Sequence, residues 1–116
     1  MLIDHLRGEA LANQVLRDVE SGRVQATISV ITECELLASP VLTRRDERRI
    51  RELLELLPRV AVTSRIARAA AVLRRRYPVT IADALIAATS LLSHATLLTR
   101  NVRDFRVIRS LQIQPL

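Results

Sequence analysis

Four polar residues interrupt apolar context at points where elements meet: Glu35, Asp83, Asn101 and Asp104. Glu35 lies just after a β-rich run that ends at Val30. Asp83 opens the most apolar helical segment of the chain, and Asn101 and Asp104 directly follow the run from Ala95 to Thr99. Open α/β sheets bind ligands outside the carboxyl ends of their strands, so parallel strands would put Glu35, Asn101 and Asp104 at one edge. Carboxylates gathered there repel, and they stay ionised only with a cation between them. Hard oxygen ligands completed by waters describe a Mg²⁺ or Mn²⁺ site. Such an ion lowers the pKa of a bound water and neutralises charge building on a phosphoryl oxygen, which is what a metal-dependent nuclease needs.

Each of these residues also has a structural reading. Thr80-Ile81-Ala82-Asp83 has the form of a capping box, so Asp83 serves a helix start as readily as a metal, and the two roles are compatible. Glu33 and Glu35 stand two apart on a presumed helix, roughly 200° around it, so one faces a site and the other solvent. Asn101 fits a loop residue bonded to its own backbone, and Asp4 fits a helix N-cap. His5 and His94 have no second ligand at a zinc-like spacing. Cys34 reads as a buried, inert thiol, and Arg74-Arg75-Arg76 as a solvated helix end that suits the macrodipole. Ser29, Ser64, Ser90 and Ser93 sit in no nucleophile-elbow pattern.

The elements that must position these residues follow from periodicity. Leu11, Val15, Leu16 and Val19 predict a helix over 9–20, stopped by Ser21-Gly22. Residues 24–30 alternate as a strand and lead into a short helix over 32–38 that Pro40 ends. Ile50, Leu53, Leu54 and Leu57 stripe an amphipathic helix over 44–57, with Glu47–Arg51, Arg48–Glu52 and Arg51–Glu55 as i, i+4 pairs. A short strand at 60–62 precedes a helix over 64–76 with the stripe Ile66, Ala69, Ala70, Leu73 and Tyr77. A helix over 81–93 is apolar on most of its circumference. Strands follow at 95–99 and 111–113. Strands alternating with helices predict an α/β fold with a mainly parallel sheet.

The chain of 116 residues is one domain long, and its 49% apolar content supports a packed core rather than disorder. With only Tyr77 and Phe105 as aromatics, a base-stacking platform for single strands is excluded. All 18 basic residues are arginine against 12 carboxylates, a surplus of +6 that attracts polyanions. Guanidinium suits phosphate, although a GC-rich genome would also favour arginine codons. The single cysteine, the charged start with Asp4 and Arg7, and the lack of the roughly 18 apolar residues a span requires predict a cytoplasmic protein without signal peptide or membrane anchor.

Four segments resemble the PIN-domain ribonucleases, specifically the VapC-type toxins of bacterial toxin–antitoxin pairs. They are Leu2-Ile3-Asp4-His5-Leu6-Arg7-Gly8, Ser29-Val30-Ile31-Thr32-Glu33-Cys34-Glu35-Leu36-Leu37, Ala82-Asp83-Ala84-Leu85-Ile86-Ala87-Ala88-Thr89 and Leu98-Thr99-Arg100-Asn101-Val102-Arg103-Asp104-Phe105. They fall in the family's order over nearly the whole chain, and the last two are the specific ones. The resemblance implies a single PIN-like domain over residues 1–116, a three-layer α/β fold with a mainly parallel sheet flanked by helices. It implies acidic residues around Mg²⁺ or Mn²⁺ that hydrolyse RNA. Glu35 looks like the family's acid after the second strand, and Asp83 like its central metal ligand. Asn101 takes a fourth acidic or amide position, with Asp104 near enough to assist. It further implies an antitoxin partner laid over the acidic site and a homodimer, for which the helix at 81–93 or the stripe at 50–57 would supply the surface.

One departure stands out. The family's toxins begin with a strand running into Asp-Thr-Asn-Val-Leu-Ile-Asp, whose first Asp is a metal ligand. Met1 stands at the Val of that pattern and Asp4 at its second Asp. The first central strand and first catalytic Asp are therefore expected to be missing, through a start assigned too late, which is favoured, or a truncated toxin. Two functions compete on this reading: a metal-dependent endoribonuclease toxin, and a non-catalytic module that binds an antitoxin or RNA. A purely structural domain is the third.

Overall fold

The structure, a computed structural model, describes Arg17, Ser21, residues 27–99 and residues 101–115. The readings that fall on the first strand, Asp4 and His5 lie outside these residues. So does the helix predicted over 9–20, save for Arg17, which is helical and whose carbonyl accepts from the Ser21 N–H at 2.9 Å. Two compact units divide the chain, the first ending at Val60 and the second running from Ala61 to Pro115.

In the first unit, β1 (Ile28–Ser29) pairs in parallel with β2 (Arg59–Val60), Ile28 opposite Arg59 and Ser29 opposite Val60. The strand predicted to reach Val30 stops one residue earlier. The Ser29 hydroxyl accepts from the Ile31 N–H at 3.1 Å and starts α1 (Val30–Leu37) there, two residues ahead of the sequence estimate. α2 (Arg44–Leu56) begins at Thr43, whose hydroxyl accepts from the Asp46 N–H at 3.0 Å. The stripe Ile50, Leu53, Leu54 and Leu57 closes on Ile28 and Leu36, with Leu37 and Leu42 packed against the cluster. Burying each such side chain stabilises the fold by about 1.5–3 kcal/mol. On the polar side, Arg51 pairs with Glu47 at 2.9 Å, an exposed contact worth a few tenths of that.

In the second unit, Thr63 caps α3 (Ser64–Arg76) by accepting from the Ile66 N–H at 3.2 Å. Ile66, Ala70 and Leu73 point inward, and α3 packs against α4 (Ile81–Leu92), which buries Ala84, Ile86, Ala87, Ala88 and Thr89. The small residues of α4 allow close approach, and buried Thr89 satisfies its hydroxyl on the Leu85 carbonyl at 2.8 Å. α4 ends with His94 at φ 51°, where the Ala95 N–H reaches the Ser90 carbonyl at 2.9 Å and the His94 N–H reaches that of Leu91 at 3.2 Å. That is a Schellman closure with histidine at the position glycine usually takes.

β3 (Leu97–Thr99) pairs in parallel with β4 (Ile113–Pro115). The last strand lies two residues beyond its predicted place. Phe105, Ile108 and Leu111 recur every three residues through the preceding turns and are all buried, which keeps Leu111 in the core instead of in the strand. A helix that periodicity did not reveal, α5 (Val102–Phe105), follows β3 and packs on β4 and α4. At four residues it is too short to show a stripe.

The α/β class and the parallel pairing agree with expectation. Two expectations are corrected. Cys34 is exposed instead of buried: it stands two residues from Leu36, the buried residue of α1, and so faces roughly the opposite way. The stripe at 50–57 is buried within its own unit and is not available as a dimer surface, whereas 81–93 keeps Ile81 exposed and Leu85, Leu91 and Leu92 half-buried. No helix among the described residues is long and apolar enough to cross a membrane.

Candidate functional site

Asp83 is the third residue of α4. Its N–H donates to the Thr80 hydroxyl at 3.1 Å, so the capping reading of this tetrad is correct. The cap does not consume the carboxylate. Burial pushes the Asp83 carboxyl above the ordinary aspartate value, the negative charge of Asp104 pushes it further, and a hydrogen bond with the Thr80 side chain opposes both. The Asp104 carboxylate is thus near enough for its charge to act on Asp83.

Asp104 comes from α5, which packs against α4. Two features hold it there. The Phe105 side chain beside it is fully buried, and its own N–H donates to the Asn101 carbonyl at 3.1 Å. Asn101 precedes α5, and its N–H donates to the hydroxyl of the buried Thr99 at 3.0 Å. Its side chain does not cap the helix. The amide is thus exposed at the carboxyl end of β3, one helical turn from Asp104. The backbone bonding foreseen for Asn101 runs through its N–H, not through its side chain.

Glu35 belongs to the first unit, exposed on α1. Its neighbour Glu33 faces the other way and pairs with Arg59 at 3.4 Å, so it is tied to β2 instead of merely solvated. The second unit brings Asp83 and Asp104 together, with Asn101 adjoining. Among the described residues, no group of three or more His, Cys, Asp or Glu side chains gathers to hold a metal.

Chemically, two carboxylates this near, one with raised proton affinity, do one thing well: they bind a hard cation that removes the repulsion. Mg²⁺ is commonly held by one or two carboxylates, with waters and phosphate oxygens filling its remaining positions. The donor set of Asp83, Asp104 and the Asn101 amide fits such an ion. Its oxygen donors do not suit a soft thiophilic metal, which prefers thiolate ligands. Arg74, Arg75 and Arg76, exposed at the end of α3, add positive charge to the unit that carries the pair. Arg59 is the residue that sequence reading passed over, because its partners, Glu33 and the Leu54 carbonyl, come from other elements.

Residues 1–111 match the PIN domain family. Ribonuclease VapC19 of Mycobacterium tuberculosis is 33% identical over 115 residues, which cover 95% of this chain and 90% of that protein. Among solved structures, a toxin–antitoxin complex from Klebsiella pneumoniae is similar with a TM-score of 0.78 and 33% identity, over 95% of this chain and 88% of that one. VapBC2 from Rickettsia felis, solved with a DNA fragment from its promoter, shares the fold with a TM-score of 0.76 at 19% identity, over 95% and 88% of the two chains.

Proposed function

The chain belongs to the PIN-domain family, among its VapC-type members, and from that premise we propose that it is a metal-dependent endoribonuclease, the toxin of a toxin–antitoxin pair. The observation that carries the reading is that Asp83 on α4 and Asp104 on α5, two helices in contact, are near enough for the charge of one to act on the other. The ribonuclease relative at 33% identity supports the reaction class, and the similar toxin–antitoxin complex supports an antitoxin as partner. The match over residues 1–111 runs through both compact units, in support of a single PIN-like domain.

Asp83, Asp104, Asn101 and Glu35 would hold the Mg²⁺ or Mn²⁺. When bound, such an ion supplies positive charge for the phosphoryl oxygens and acidifies water. Hydrolysis bonds a water oxygen to phosphorus and breaks the bond to the leaving oxygen, which takes up a proton. The chain's part is to place its carboxylates at fixed positions, on a capped helix and on a helix anchored by Phe105, so that little reorganisation is needed at the reaction. Its arginine surplus holds the polyanion by charge and not by stacking. The toxin acts in the cytoplasm and forms a homodimer in this reading.

The test incubates the purified chain with total RNA, in Mn²⁺ or in EDTA, beside an Asp83→Ala variant. Cleavage in Mn²⁺ that EDTA and the variant both abolish is expected. A variant that cleaves at the full rate would sink the proposal. RNA binding with a steep salt dependence and no divalent-dependent cleavage would make the chain the non-catalytic module instead.

A further inference from the structure

We propose that Arg103, Arg106 and Arg109 form a phosphate track that holds the backbone of the RNA strand beside the carboxylates of the second unit; the inference rests on the reading of the chain as a ribonuclease. After β3 the chain advances in three-residue turns. The N–H groups of Asp104, Ile108 and Leu111 donate to the carbonyls of Asn101, Phe105 and Ile108 at 3.1, 3.0 and 3.1 Å, with one α-type bond among them, from the Arg106 N–H to the Val102 carbonyl at 2.9 Å. Side chains three apart in such turns come back to one side. Burial obeys that period: Phe105, Ile108 and Leu111 are buried, while Arg103, Arg106 and Arg109 are exposed. Successive arginine positions therefore stand about 5–6 Å apart along the segment. Asp104 opens the remaining side, followed by Val107 and Ser110.

These three arginines differ from the others in register, pairing and place. The arginines of α2 alternate with Asp46, Glu47, Glu52 and Glu55, and Arg51 is already paired with Glu47. Arg74, Arg75 and Arg76 are consecutive, so they fan out about 100° apart around α3. Arg103, Arg106 and Arg109 share one side, and among the described residues none of them is in an ion pair or a guanidinium hydrogen bond. Asp104 is the one carboxylate between Asn101 and Leu111, and the track leads away from the turn that carries it. A ligand seated there must repeat its negative charge along a line and bring one charge to the ion that Asp104 would hold. A polynucleotide backbone does both. With one phosphate at the carboxylates, its neighbours follow the arginines, whose planar forks bind phosphate bidentately. Phe105 is buried and Tyr77 half-buried, so charge and not stacking supplies the hold.

The experiment measures binding of a labelled single-stranded RNA to the full chain by fluorescence anisotropy, in EDTA so that no strand is cut, over about 50–200 mM salt. Three triple variants are compared, with melting temperature alongside: Arg103→Gln/Arg106→Gln/Arg109→Gln, Arg103→Lys/Arg106→Lys/Arg109→Lys, and the charge-matched Arg74→Gln/Arg75→Gln/Arg76→Gln. Each phosphate neutralised contributes about 0.7 to the salt slope of a single strand. The first triple should therefore flatten the slope by about 2 and weaken binding roughly 100-fold at about 0.1 M salt. The lysine triple keeps the charge without the fork, and should keep the slope and lose only a few-fold. The Arg74–Arg76 triple should change the slope by less than one contact does. Single Arg→Gln variants at 103, 106 and 109 should each flatten it by about 0.7 and carry the test should the triple fail to fold. A parental slope in the first triple overturns the inference, as does a parent that binds no RNA. Equal flattening by the two glutamine triples overturns it too, by reducing the track to net charge. Polyglutamate that binds the parent as tightly as RNA, and is lost in the first triple, would make the track a dock for an acidic protein instead. Cleavage in Mn²⁺ is read separately. Track-dependent binding without cleavage sinks the ribonuclease reading and leaves the track, whereas cleavage beside a parental slope in the first triple sinks the track alone.

Discussion

Replacing Asp83 by asparagine separates charge from shape at the centre of the proposed site. The amide occupies the same space and still accepts from the Thr80 hydroxyl, but it carries no charge against Asp104. In the parent protein, burial and then Asp104 raise the Asp83 carboxyl above its ordinary value of 3.8, against the Thr80 hydrogen bond. A carboxyl raised in the folded state lends stability that is fully present below its unfolded value and is lost as pH rises through the folded one. At neutral pH the ionised Asp83 therefore costs stability. The α4 N-terminus offsets part of that cost, about 0.3–1 kcal/mol for a carboxylate in the first turn. Asp83→Asn should consequently gain only about 0.5 kcal/mol at pH 7, as befits partly exposed charges, or roughly 2 °C in melting temperature. The metal effect is larger and opposite in sign. Mn²⁺ at a hundred times its dissociation constant stabilises the parent by about 2.7 kcal/mol, on the order of 10 °C. Thermal melts between pH 4 and 8, with and without Mn²⁺, read both effects. Without metal, the variant should melt slightly above the parent at pH 7, and the difference should fade as the pH falls. With Mn²⁺, the parent should rise and the variant should not. A variant that melts below the parent at pH 7 without metal, or that keeps the Mn²⁺ shift, refutes the reasoning.

Two further substitutions probe the frame around the site. His94 holds φ 51° at the end of α4, so His94→Gly should relieve about 1 kcal/mol of backbone strain, partly offset by the unfolded chain's added freedom; a lowered melting temperature would contradict this. Ile50 is fully buried in the first unit's core, and Ile50→Ala should cost about 2–5 kcal/mol in urea unfolding, whereas a loss under 1 kcal/mol would remove it from the core.

The parts of the site that short-range chemistry controls were readable from the residues. Thr80-x-x-Asp83 announces a helix start because the threonine hydroxyl meets the N–H three residues on, and the structure has that bond at 3.1 Å. The stripe of α2 and the apolar run of α4 predict which side chains are buried, since an interval of three or four residues returns to the same helix face. The two specific segments around Asp83 and Asn101 carried the family resemblance, which the match over residues 1–111 bears out. Other features left no local trace. α5 is too short to show a period, and the last strand shifts because Leu111 is held in the core. Cys34 looked buried by residue type, yet the single buried position of α1 turns it outward.

The sequence by itself determined the longer helices, the Thr80 cap of α4, the α/β class and the family, because each rests on contacts within a few residues or on motif order. Only the tertiary structure decided that Asp104 lies close enough to Asp83 to raise it, and that Arg59 reaches both Glu33 and the end of α2. The physical reason is that the Asp83–Asp104 field and the Glu33–Arg59 pair join residues more than twenty positions apart. Their distance is set by how α5 packs on α4 and how β2 pairs with β1, and no spacing along the chain encodes either.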